Sequence, residues 1–95
     1  MAITFLIPGY LRAYTEQRSE VVLDLPVSTA GQALEALWHR YPGLQDRIVD
    51  ERGGVRQHVN IFVGEDNIRD IGGFAARVNR NCSIMIVPAV SGGSR

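Results

Sequence analysis

The chain has no lysine; all ten of its cations are arginines, balanced by ten Asp and Glu residues. A guanidinium stays protonated and is a poor nucleophile. No side chain is therefore available to accept an acyl group in an amide bond, which leaves only the α-amine. An arginine-biased composition accounts for the same count. Cysteine is nearly absent as well. Cys82 stands alone, so an internal disulfide is excluded. It opens an apolar run, where a small buried hydrophobe is the usual role for the residue. A redox or sulfur-transfer thiol would want a neighbouring cation or base to lower its pKa, and Arg80 is close in sequence.

Other absences narrow the function. The formal net charge is zero, with charges spread along the whole length, so the basic face of a nucleic-acid binder is missing. The longest strongly apolar stretch, 82–90, is far too short to span a bilayer, and no charged segment precedes an apolar one as in a signal peptide. A cytoplasmic location is the expectation. The two histidines, His39 and His58, have no second ligand at metal spacing, so no metal site is expected. Asp50-Glu51 and Glu65-Asp66 fall in polar loops, where solvation or turn formation explains them. No glycine-rich phosphate loop follows a strand, and Cys82 and Ser83 have no base arranged beside them. These gaps argue against an enzyme, and no catalytic residue is assigned.

What is present is the composition of one soluble domain, 45% hydrophobic and 21% charged over 95 residues. Ala2-Ile3-Thr4-Phe5-Leu6-Ile7 predicts a strand stopped by Pro8-Gly9. A polar stretch at 15–20 leads into Val21-Val22-Leu23-Asp24-Leu25, a second strand ended by Pro26. Thr29 and Gln32 have capping-box spacing, and Leu34, Leu37, Trp38 and Tyr41 repeat at i, i+3, i+4, i+7. This is a helix ended by Pro42-Gly43. Leu44, Ile48 and Val49 predict a further short turn. In 58–63 Val59, Ile61 and Val63 share one face, with His58, Asn60 and Phe62 on the other. A turn at 64–67 and a short edge strand at Ile68-Arg69 follow, then an irregular stretch at 71–81. The last strand, 82–87, puts Ile84 and Ile86 on one face and Met85 and Val87 on the other. The expected class is α+β, with one main helix across a mixed sheet of about five strands. Phe62, Met85 and Val87, on the face away from the core, are candidates for an apolar partner interface. A place under a loop explains Phe62 equally well.

The chain closes on Pro88-Ala89-Val90-Ser91-Gly92-Gly93-Ser94-Arg95. A glycine pair lacks Cβ atoms and can thread a narrow slot. Six residues from Pro88 to Gly93 reach roughly 20 Å at about 3.3–3.6 Å each. The division expected is a domain over 1–88 and a flexible tail over 89–95.

This strand order with a terminal Gly-Gly resembles the β-grasp fold of ubiquitin-like proteins. Ile7-Pro8-Gly9-Tyr10-Leu11-Arg12, Val59-Asn60-Ile61-Phe62-Val63 and Pro88-Ala89-Val90-Ser91-Gly92-Gly93 resemble the bacterial sulfur carriers of the MoaD/ThiS family, closest to its CysO-like branch. The resemblance covers nearly all of 1–93. It implies a carrier that binds no cofactor of its own. In such families an E1-like adenylating and sulfurtransferase enzyme uses ATP to activate the terminal glycine, here Gly93 with Gly92 and Ser91 behind it. Sulfur then displaces AMP to leave a thiocarboxylate, which serves biosynthesis, with cysteine or a related amino acid favoured. The acceptor implied is a PLP-dependent enzyme similar to a cysteine synthase. Ser94-Arg95 departs from a mature Gly-Gly ending, so the resemblance implies cleavage between Gly93 and Ser94 by a JAMM-type zinc metallopeptidase. A ubiquitin-like protein modifier or a non-catalytic interaction module is the alternative. With no lysine, the chain as a modifier would be a donor that builds no lysine-linked chains of itself.

Overall fold

The computed structural model describes residues 2–24, 26–79 and 81–88. Strands β1 (Ala2–Leu6) and β2 (Glu20–Asp24) form an antiparallel pair, with Thr4 opposite Val22 and Leu6 opposite Glu20. Leu25, expected to end the second strand, lies outside the described residues. The connection holds a 3₁₀ helix, Gly9–Thr15, where the sequence predicts only a turn and a polar stretch. Leu11 and Thr15 bury its inner side. A 3₁₀ turn of this length lacks the long apolar repeat that reveals an α-helix. Glu16 and Gln17 then take left-handed φ values of 57° and 65°, and the Gln17 N–H donates to the Arg12 carbonyl at 2.7 Å.

Helix α1 (Ala30–Arg40) starts where the capping box predicts. Thr29 Oγ1 accepts from the Gln32 N–H at 3.2 Å. The Gln32 side chain reaches back one residue further than expected and accepts from the Ser28 N–H at 2.8 Å. Leu34, Leu37 and Trp38 are buried, as is Tyr41 just past the helix end. Pro42 cannot continue α1, because it lacks an N–H and holds Tyr41 away from helical dihedrals. It opens a second helix instead, α2 (Pro42–Ile48), longer than the expected turn and anchored by buried Leu44 and Ile48.

The rest of the sheet is β3 (Val59–Val63), β4 (Asp66–Asn67) and β5 (Ser83–Pro88). The edge strand therefore precedes the expected position. Ile68 and Arg69 lie in a 3₁₀ turn, Ile68–Asp70, because Ile68 dives into the core. The Arg69 guanidinium takes over the edge of β3, donating to the carbonyls of Val59 at 3.0 Å and Arg56 at 2.9 Å. A further 3₁₀ turn, Gly73–Ala75, packs on α1 beside Gly31, where a Cβ would come within 3.1 Å of Phe74. Gly72 and Gly73 supply its φ values of 109° and 65°.

Strand order is β2-β1-β5-β3-β4, with β1 and β5 parallel and the other pairs antiparallel. This is the mixed five-stranded α+β arrangement the sequence predicts. Ile3, Phe5, Ile61, Ile84 and Ile86 from the sheet meet Leu34, Leu37, Leu44 and Ile48 from the helices in one core. On the opposite sheet face Leu6, Phe62, Met85 and Val87 are only half-buried and Val22 is exposed, as a sheet with antiparallel pairs allows.

Candidate functional site: the open sheet face and the root of the tail

Strand β5 is the central strand, bonded to β1 on one side and β3 on the other. It delivers the chain to Pro88, which pairs with Val59. Whatever follows Pro88 is thus rooted on the strand held from both sides. Ser91, Gly92, Gly93 and the Gly93–Ser94 bond, the sequence-derived site, lie outside the described residues.

Alternation along the strands sends Met85 and Val87 to the open face while Ile84 and Ile86 go inward. Met85 lies opposite Phe62 on β3 and opposite Leu6 on β1, and Val87 lies opposite Asn60. Phe62, Met85 and Val87 therefore share one face, each half-buried. Leu6 completes a cross-strand apolar row, Leu6–Met85–Phe62, which the sequence reading did not assemble. The 2-residue alternation of β1 held the signal, but only the parallel β1–β5 register puts Leu6 next to Met85. Alongside β5 an open groove of about 390 Å³ is lined by Leu6, Pro8, Met85 and Val87, with Arg12 and Glu20 on its rim. Arg12 is steadied by a 3.1 Å bond from Nε to the Ile7 carbonyl. On the far side of the face Asn60 Oδ1 accepts from Arg69 at 2.7 Å and from Asn67 at 3.3 Å, which fixes the polar border.

Cys82 sits just before β5, half-buried against the core, and its carbonyl accepts from the Thr4 N–H at 3.1 Å. Burial pushes its thiol pKa up, with backbone hydrogen bonds opposing. That is the wrong direction for a nucleophilic thiolate. Arg80 lies outside the described residues. Asp50 has a turn role: its Oδ1 accepts from the N–H groups of Arg52 at 2.9 Å and Gly54 at 3.0 Å. Among the described residues no group of three His, Cys, Asp or Glu side chains is placed to hold a metal ion. No helix among them is long and apolar enough to cross a membrane.

Residues 5–93 match the ThiS family. The chain belongs to that family. The sulfur carrier protein CysO of Mycobacterium tuberculosis is 33% identical over 95 residues, which span 98% of this chain and 100% of that protein. The crystal structure of that CysO superposes with a TM-score of 0.84 at 31% identity, covering 93% of this chain and 99% of the other. CysO in the BexX/CysO complex of Amycolatopsis orientalis gives 0.83 at 28% identity, covering 96% and 99%. The mixed sheet with its crossing helix is the β-grasp, ubiquitin-like fold.

Proposed function

We propose that this chain is a sulfur carrier, a small protein substrate rather than a catalyst, whose working group is the Gly93 carboxylate. The observation that carries the reading is the family match, which runs to residue 93 and so includes the glycine pair. Its relative in M. tuberculosis bears the name of a sulfur carrier. A free carboxylate is a poor acyl donor. An E1-like partner supplied with ATP turns it into a mixed anhydride with AMP, releasing pyrophosphate. A sulfur nucleophile then displaces AMP, leaving the thiocarboxylate that serves the biosynthesis of cysteine or a related amino acid on a PLP-dependent acceptor enzyme. A carboxylate at Gly93 first requires hydrolysis of the Gly93–Ser94 bond, the work of a zinc metallopeptidase of the JAMM type acting with metal-bound water. All of this belongs in the cytoplasm.

The face around Leu6, Met85, Phe62 and Val87 is the docking surface in this reading. It lies beside the strand that launches the tail, so one partner grips the face and receives the terminus together. Binding on the face turns the tail's encounter with the active site into a positioned reaction.

Intact-mass spectrometry of the protein from its native host tests the proposal. The expected species lacks Ser94-Arg95 and carries sulfur in place of one oxygen. A chain ending at Arg95 under every sulfur condition would overturn both the processing and the carrier role.

A further inference from the structure

The end of the sheet that roots the tail also carries a cluster with surplus positive charge. His58 directly precedes Val59, the residue paired with Pro88, and lines an open recess of about 260 Å³ with Asp46, Arg47 and Arg56. Both guanidiniums are held in place without a carboxylate. Arg47 stacks on Tyr14, its Cζ 5.1 Å from the ring centroid. Arg56 Nε donates to the Asp46 carbonyl at 3.0 Å. The Arg56 backbone is fixed too. Its N–H donates to the Ile48 carbonyl at 2.9 Å, and its carbonyl accepts from the Val59 N–H at 3.1 Å and from Arg69 at 2.9 Å. Among the described residues no carboxylate forms an ion pair with either arginine, although Asp46 lines the same recess.

Two guanidiniums against one carboxylate leave a surplus of one positive charge, with His58 counted as neutral. A carboxylate monoanion cancels that surplus, whereas a phosphate dianion overshoots it and faces Asp46. The recess is also smaller than the roughly 300–1,000 Å³ that encloses a whole small molecule. It suits one side chain at the rim of a larger contact. The planar Nη fork that Arg56 leaves open matches a carboxylate in shape. We infer that this recess receives an aspartate or glutamate side chain of the enzyme that takes up the tail. The inference rests on the carrier reading and gives its activating partner a second contact, by charge, beside the root of the tail. At an exposed site such a pair adds little affinity by itself and acts mainly on encounter.

The test is a charge series at His58, an exposed residue whose side chain has no hydrogen bond or ion pair among the described residues. His58→Glu, the native chain and His58→Arg are each prepared ending at Gly93, which keeps every described residue. Pyrophosphate release with the E1-like enzyme is then measured. KM for the carrier is expected to rise about fivefold in His58→Glu and to fall in His58→Arg, with kcat unchanged. The differences should fade as salt rises. A flat series or the reverse order, with pyrophosphate released, would overturn this inference alone. No release from the native chain would overturn the carrier reading, and the inference with it. NMR titration of the labelled full chain with inorganic phosphate is the second measurement. Saturable shifts at Arg47, Arg56 and His58 at low millimolar phosphate would make the recess a phosphate site and overturn its assignment to a carboxylate.

Discussion

Thr15 is fully buried, and its hydroxyl carries the turn that brings the chain from the 3₁₀ helix back toward β2. Its Oγ1 donates to the Arg18 carbonyl at 2.8 Å and lies 3.3 Å from that of Arg12. Valine has nearly the same shape and no donor. Thr15→Val is expected to cost about 1 kcal/mol, because the part-buried bond to the Arg18 carbonyl is lost; urea unfolding measures it, and an unchanged midpoint would show the bond to be dispensable. Cys82 yields a second prediction at this scale. Burial raises its pKa, so the thiolate fraction at neutral pH falls below that of an unstructured cysteine. Alkylation by iodoacetamide at neutral pH should be slower in the folded chain than in urea, and should speed up as pH rises through the alkaline range. Equal rates in the two states would restore Cys82 as a reactive candidate.

Among the elements, the short β4 depends on a side chain. Two residues pair with Phe62 and Val63, and beyond them β3 would present bare carbonyls. Arg69 covers those with its planar fork while also bonding Asn60. Arg69→Ala is expected to lose about 1–2 kcal/mol, allowing for the exposure of the site. Arg69→Lys should recover little of this, since one ammonium cannot span three acceptors fixed in a fork. Thermal unfolding of both variants checks the claim, and full recovery with lysine would mean that only charge matters. The same element explains why Ile68-Arg69 reads as a strand: a β-branched residue beside a long one fits strand propensity, but burial of Ile68 turns the chain inward.

For the molecule as a whole, the sheet has a packed side and an open side, and the open side holds the proposed docking face. Phe62 is half-buried there between Met85 and Asn67, its cross-strand neighbours. Phe62→Asp should therefore leave a folded chain, by circular dichroism, that no longer binds the E1-like partner in calorimetry. Undiminished binding would move the docking face elsewhere, and an unfolded variant would show that Phe62 belongs to the core after all.

Local pattern alone determined much of this protein. The Thr29–Gln32 cap, the Leu34–Leu37–Trp38 stripe, the stop at Pro42 and the inward pairs Val59/Ile61 and Ile84/Ile86 all follow from periodicity and capping, which act over a few neighbouring residues. The glycine pair near the end of the chain, with the strands before it, was likewise enough to point to the family. What only the tertiary structure decided were relations between distant segments. Ile68 is buried and Arg69 bonds across the end of β3 because of residues that lie far from them in sequence. Leu6 meets Met85 only because β5 returns parallel to β1, and β2 is left at the border for the same reason. A side chain's face is set by its own strand, whereas its neighbours are set by pairing between strands, which no short window of sequence contains.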